Sequence, residues 1–226
     1  ITCLTDPAVY AELWREEARQ DRLLALWARV ETAGAASLPL ALAPLISHPA
    51  GDPVALRCLG DLLYRRGLLD EAEILLDQCV AGGRQSGDVQ ETALALRLRG
   101  NVHGARKQLS AAMELYQDAA GLARAAGDQT LLQSIIGNQG NILWAWGDLH
   151  GAMAFYKEKE RICRELGLQD SLQQSLGNQG IILRAWGDLH GAMALYKEQE
   201  RICLELGLQD SLQSCLGHQG NVIGDM

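Results

Sequence analysis

The sequence predicts an all-α solenoid of antiparallel helix hairpins, and three observations lead there. Shifting the chain against itself by forty residues superposes Gly60, Gly100, Gly140, Gly180 and Gly220, so one unit recurs along most of its length. The composition favours helix over sheet: 226 residues hold 24 glycines but only five prolines and a single phenylalanine, with abundant Ala, Leu, Gln and Glu. Within each unit a stop signal and a start signal sit side by side, as in Gly187-Asp188, and a second glycine, Gly207, closes the unit. Two antiparallel helices of this length cannot bury their apolar faces alone, so neighbouring hairpins must stack and share a core.

Taken in order, residues 1–50 fall outside the period. Tyr10, Leu13, Trp14, Leu23, Leu24, Trp27 and Val30 trace an amphipathic helix, and Leu38 to Ile46, interrupted by Pro39 and Pro44, a shorter one. This stretch is read as a helical N-terminal cap or the remnant of an upstream domain. Residues 51–226 are the solenoid, with units at about 53–89, 90–129, 130–169 and 170–209 and a partial unit at 210–226. In the unit opening at Asp170, that aspartate is read as an N-cap with Gln173 closing a capping box, giving a first helix from about Ser171 to Trp186. Asp188 caps a second helix running through Ala192, Tyr196 and Cys203 to Leu206, where Gly207 supplies the left-handed terminal residue. Residues 137–176 and 177–216 are nearly identical, Asn141/Ile181, Trp144/Arg184 and Phe155/Leu195 being among the few exchanges, so the duplication is recent.

Charge and composition restrict function. A net charge of -8 without a basic stripe argues against nucleic acid as a partner. No apolar run approaches the roughly 20 residues a membrane span needs, and no signal peptide opens the chain, so the expectation is a soluble, unsecreted, cytoplasmic protein with no membrane partner. The start at Ile1 reads as a piece of something longer. Cys3, Cys58, Cys79, Cys163, Cys203 and Cys215 form no CxxC pair and read as small buried hydrophobes in a reducing compartment. Asp148 and Asp188 precede His150 and His190 by two residues, but the aspartates read as helix caps and the histidines as exposed first-turn residues rather than catalytic groups. Cys215 and His218 share a helix face without a second ligand pair, and no GxxxxGK[ST] loop occurs. No enzyme activity, cofactor or metal is expected.

The spacing Leu176, Gly180, Leu183, Gly187-Asp188, Ala192, Tyr196 resembles the tetratricopeptide repeat. Ile136, Gly140, Leu143, Gly147-Asp148, Ala152 and Tyr156 match equally well, and Leu96, Gly100, Ala112, Tyr116 and Leu56, Gly60, Gly67, Ala72, Leu76 match more sparsely. A stride of forty exceeds that family's usual period of about 34. It is similar to the longer-helix variety of polarity adaptors, kinesin light chain and bacterial signalling proteins. The family's closing proline is absent, and Lys159 and Gln199 replace its late small residue. The resemblance implies a right-handed superhelix, with a small residue on one helix facing a small residue on the other, here Gly140 opposite Ala152.

On a helix advancing 100° per residue, Ile136, Gly140 and Leu143 share one stripe, and Ser134, Asn138, Asn141 and Ala145 the opposite one. The resemblance places the second stripe in the concave groove. Asn101, Asn138, Asn141, Asn178 and Asn221 would then form a ladder of amides suited to the backbone of an extended peptide. Specificity would be written where near-identical units differ: Trp144 against Arg184, Asn141 against Ile181, Asn178 against His218. Earlier units supply Asp61, Tyr64 and Arg65, with Arg57 and Arg97 on the shoulder, an end that would steer an acidic ligand terminus. Gly137 and Gly177 occupy that same shoulder and leave two readings open, close packing or close approach of a ligand backbone. Lys157 to Arg161 reads as a solvated convex face, and Tyr156 and Tyr196 as core.

The functional expectation is a non-catalytic scaffold binding a peptide or partner protein in the groove. A second reading is the ligand-sensing array of a larger bacterial-type signalling or defence protein, and a third a hydrolase built at Asp148 and His150. Gly220 to Met226 reads as part of a first helix lacking its hairpin partner. Apolar surface around Val222 and Ile223 would therefore be covered by further repeats or by end-to-end self-association.

Overall fold

The structure, a computed structural model, describes residues 53–226; the helices and Cys3 expected within residues 1–50 lie outside the described residues. Among the described residues every element is an α-helix and no strand occurs. The chain divides into two compact units, Ile1–Ala126 and Gly127–Met226. In the first, α1 (Pro53–Arg65) pairs with α2 (Leu69–Ser86), α3 (Val89–Ala105) pairs with α4 (Leu109–Ala126), and α2 packs on α3. In the second, α5 (Gln129–Ala145) pairs with α6 (Leu149–Leu166) and α7 (Gln169–Ala185) with α8 (Leu189–Leu206). There α6 packs on α7, and α8 on α9 (Gln209–Asp225). Each unit is thus a stack of helical hairpins, an all-α repeat solenoid.

The caps follow the sequence signals with one correction. Asp88, Asp128, Asp148 and Asp188 each accept a hydrogen bond from the backbone N–H three residues on, meeting one of the four donors a helix start leaves open. Gly167 and Gly207 end α6 and α8 at φ 69°, a region only glycine enters cheaply. Asp170, however, is not an N-cap. Helix α7 starts at Gln169 after Leu168, whose side chain caps nothing, and Asp170 sits inside the first turn, where Gln173 Nε2 donates to its carboxylate at 3.2 Å. The helix starts two residues after the glycine in both units. Gly127-Asp128 therefore puts an aspartate at the cap, while Gly167-Leu168-Gln169-Asp170 puts it two positions too late.

Three of the repeated glycines face tyrosines, while Gly60 faces Leu76 and Gly220 meets open space. A Cβ on Gly140 would stand 2.7 Å from Tyr156 Cε1, and Gly100 and Gly180 face Tyr116 and Tyr196 in the same way. Ala152 is buried, but it is not among the groups nearest Gly140. Gly137 and Gly177 also serve the hairpin interior: a Cβ at 137 would stand 3.0 Å from Lys159 Cδ, and one at 177 would stand 2.8 Å from Gln199 Nε2. Packing, not ligand approach, accounts for both. It follows that the run Lys157 to Arg161 is only partly a solvated face. Arg161 pairs with Glu158 and Glu165, and Arg164 with Glu160, in the open, but Lys159 turns inward and is 7% exposed. Its Nζ donates to Gln174 Oε1 at 3.3 Å, and burial holds its pKa below the usual lysine value.

Tyr156 and Tyr196 are core residues as expected, with Ala152, Met153 and Ile182 around the first and Ala192, Cys215 and Val222 around the second. Burying side chains of this size contributes about 1.5–3 kcal/mol each. Cys79, Cys163, Cys203 and Cys215 are buried free thiols; burial pushes the Cys79 pKa up to about 12, leaving it inert at neutral pH.

Candidate binding site

Within the second unit, Asn141, Trp144 and Ala145 of α5, Tyr156 of α6, and Asn178 and Ile181 of α7 line an open pocket of about 310 Å³. Four residues singled out from the sequence, Asn141, Trp144, Asn178 and Ile181, thus meet at one place. Trp144 is 50% exposed, a large apolar surface at the lip of a concavity, flanked by two carboxamides. Asn141 is partly committed: its Oδ1 accepts from the Tyr156 hydroxyl at 2.7 Å. Asn101 of α3 accepts from Tyr116 in the same register, at 2.8 Å. Two members of the expected amide ladder thus satisfy a buried phenol. Asn138 and Asn178 are half-buried and Asn221 is exposed on α9.

One repeat further along, the chemistry changes. Ile181 replaces the acceptor that Asn141 offers, and the fully buried Tyr196 has a hydroxyl without a hydrogen-bond partner. The His218 ring lies 5.3 Å from that of Tyr196, with its Nδ1 enclosed and unpartnered. Burial, reinforced by Arg184, pushes the His218 pKa down and so favours the neutral ring; burial also raises that of Tyr196 to about 12. Arg184 Nε is held by Asp225 Oδ2 at 2.6 Å.

In the first unit the charged residues are largely occupied. Arg57 pairs with Glu91 at 2.6 Å and Arg65 with Asp61 at 2.8 Å. Arg97 is half-buried and forms no salt bridge among the described residues; desolvation lowers its pKa, opposed by Asp61 nearby. Tyr64 is half-buried.

Tyr156 and Ala145 line the pocket without having been marked as site residues; the fifteen-residue spacing from Asn141 to Tyr156, repeated at Asn101 and Tyr116, is the signal that connects them. A second concavity of about 360 Å³ in the first unit, bounded by Gly83, Asp88, Thr92 and Asp118, matched no pattern in the sequence. Asp148 is engaged as a cap at 2.8 Å from Gly151 N, and His150 stacks on Trp186 at 4.8 Å, so neither addresses the other as a catalytic pair would. Among the described residues no group of three or more His, Cys, Asp or Glu is placed to hold a metal, and no helix is long and apolar enough to cross a membrane.

Comparison with known proteins agrees with this geometry. The family model described as tetratricopeptide repeat matches residues 53–125. No curated protein matches the chain. Among solved structures, BtubC (BKLC) from P. vanneervenii aligns over 91% of this chain and 91% of its own, with TM-score 0.65 and 18% identity. Aspartyl phosphate phosphatase F from Bacillus subtilis aligns over 95% of this chain and 60% of its own, with TM-score 0.78 and 15% identity. A signal transduction ATPase with a tetratricopeptide repeat sensor, from Pyrococcus horikoshii, aligns over 94% of this chain with TM-score 0.71 and 14% identity, but the match spans only 34% of that protein. At these identities the structures share the fold alone. The family model covers residues 53–125, and the hairpins of 129–206 continue the same unit, which supports a tetratricopeptide-repeat-like solenoid fold.

Proposed function

We propose that the chain is a non-catalytic protein-interaction scaffold that takes an extended segment of a partner protein or peptide along the first helices of its hairpins. The pocket at Trp144 carries the reading: an exposed indole beside Ile181 offers an apolar anchor, and the carboxamides of Asn141 and Asn178 offer donors and acceptors to a peptide backbone. The first unit contributes Arg97, Tyr64 and Asn101 to the same kind of surface, with Arg57, Asp61 and Arg65 in local ion pairs. Selecting a displayed random-peptide library against the chain tests this. Binders are expected to lose about tenfold or more in affinity on Trp144→Ala, the anchor, and less on Asn178→Ala; binders indifferent to both substitutions would refute it.

The fold likeness to an ATPase carrying a tetratricopeptide repeat sensor favours a second reading, in which the same surface reports ligand capture to an effector domain. Self-association is proposed through α9, where Leu216 and Ile223 are exposed, and a Cβ at Gly217 or Gly220 would meet nothing within 4 Å. The equivalent glycines of α7, Gly177 and Gly180, are filled by Gln199 and Tyr196.

A further inference from the structure

Helix α9 repeats the first helices before it, yet the face that they bury against a second helix is open in α9. In α5 the recess over Gly140 holds the Tyr156 ring of α6, and Asn141 accepts from its hydroxyl at 2.7 Å; in α3 Gly100, Asn101 and Tyr116 make the same arrangement at 2.8 Å. Helix α7 keeps the glycine, filled by Tyr196, but has Ile181 in place of the acceptor. Helix α9 restores the full pair as Gly220-Asn221, with open space over the glycine and the asparagine exposed. Its neighbouring positions follow the same rule. Gly177 lies under Gln199, whereas Gly217 meets nothing within 4 Å. Leu176 is buried in a cluster with Ile202, whereas Leu216 is exposed. Leu183 packs against Ala192 and Tyr196, whereas Ile223 is exposed.

We infer that this face of α9 binds an amphipathic, tyrosine-bearing helix of another polypeptide, in the place that α6 and α8 take on α5 and α7. The earlier hairpins define the occupant. Ala152, Tyr156, Lys159 and Ile162 of α6, and Ala192, Tyr196, Gln199 and Ile202 of α8, are the buried residues that meet the corresponding positions. The partner helix therefore carries a small residue, then a tyrosine, then a lysine or glutamine, then an isoleucine, all on one stripe. Its tyrosine ring fills the recess over Gly220 and its hydroxyl donates to Asn221, while the long polar side chain lies over Gly217 as Lys159 and Gln199 lie over Gly137 and Gly177. A second α9 does not meet this demand. It has no tyrosine, so two copies meeting through α9 leave the recess unfilled, and the partner helix displaces that association. Gly217, Gly220 and Asn221 do not line the pocket at Trp144, so this site and the peptide groove stand or fall separately.

The probe is a synthetic peptide of the α6 sequence, residues 149–166, labelled with a fluorophore and titrated under reducing conditions into the whole chain, with binding read by anisotropy. It should bind one to one and, in sedimentation velocity, displace any self-association of the chain. A Tyr156→Phe peptide should bind about fivefold more weakly, as loss of one hydrogen bond gives. Asn221→Ile in the chain, which copies α7, should remove that difference, so that both peptides bind alike. Gly220→Leu, which fills the recess, should lower affinity for both peptides about tenfold or more. Each variant is first shown to be folded by its circular dichroism melt; if Gly220→Leu does not fold, Gly217→Leu is held to the same loss. No binding up to about 1 mM peptide, binding that survives Gly220→Leu, a tyrosine preference that persists in Asn221→Ile, or self-association that excess peptide leaves intact overturns the site. None of these outcomes bears on the peptide groove, whose readout is Trp144→Ala.

Discussion

Tyr156 and Tyr196 occupy the same place in two near-identical repeats, yet only one has a partner for its hydroxyl. Asn141→Leu should therefore cost about 1–3 kcal/mol by stranding the Tyr156 hydroxyl, whereas Ile181→Asn should stabilise the chain by about 1 kcal/mol by supplying Tyr196 with an acceptor; urea unfolding of both variants checks the sign. The glycines give a second contrast. Gly140→Ala drives a methyl into the buried Tyr156 ring and should destabilise by about 1–3 kcal/mol. Gly220→Ala meets open space and should gain about 0.5–1 kcal/mol from helix propensity, so a loss at 220 in thermal unfolding would contradict the packing described. Periodicity showed that a glycine was needed at 140 and 180, but not that a ring lay opposite. Identifying the facing group takes the rotation of one helix about its neighbour, and a stripe of residues does not contain that angle.

At the level of the helix, the start is set by spacing from the preceding glycine, and cap substitutions should divide accordingly. Asp128→Ala and Asp148→Ala each remove a side chain bonded to a backbone N–H and should cost about 1 kcal/mol, while Asp170→Ala loses only a first-turn charge, about 0.3–1 kcal/mol; thermal melts of the three variants decide it. The inward turn of Lys159 was equally hidden, because alternating charge on a helix reads as surface and only the missing side chain at Gly137 betrays the space it fills. Burial holds the folded-state pKa of Lys159 below the unfolded value of about 10.4. Between those two values the unfolded chain binds more protons than the folded one, so this residue's contribution to stability rises with pH across that window. Lys159→Gln, the residue of the next repeat at Gln199, should be more stable than wild type near neutrality, with the difference shrinking as pH approaches about 10. Urea midpoints of the pair at both ends of that range isolate the lysine from the tyrosines, which titrate in both proteins. A constant difference would contradict the assignment.

For the whole molecule, what was legible in advance was the hairpin array and the neighbourhood of Asn141, Trp144, Asn178 and Ile181, because identity between repeats exposes the positions that differ. What was not legible was the occupancy of those groups, since a tyrosine fifteen residues away claims Asn141 and an aspartate on another helix claims Arg184. If the proposed self-association uses the exposed apolar face of α9, with Ile223 at 65% exposure, sedimentation velocity should show concentration-dependent association that Leu216→Lys with Ile223→Lys reduces; a chain that stays monomeric at all concentrations removes that proposal. The fit of tyrosine to glycine bears also on how the second unit reaches its native state. Because α5 and α7 offer nearly the same recess, and α6 and α8 nearly the same ring to enter it, the folding chain has a competing arrangement in which a helix closes on the wrong neighbour. Lys159 and Gln199, differing beneath otherwise matched surfaces, are among the few groups that tell correct from exchanged pairing, and crowded refolding is the condition that exposes how little separates the two.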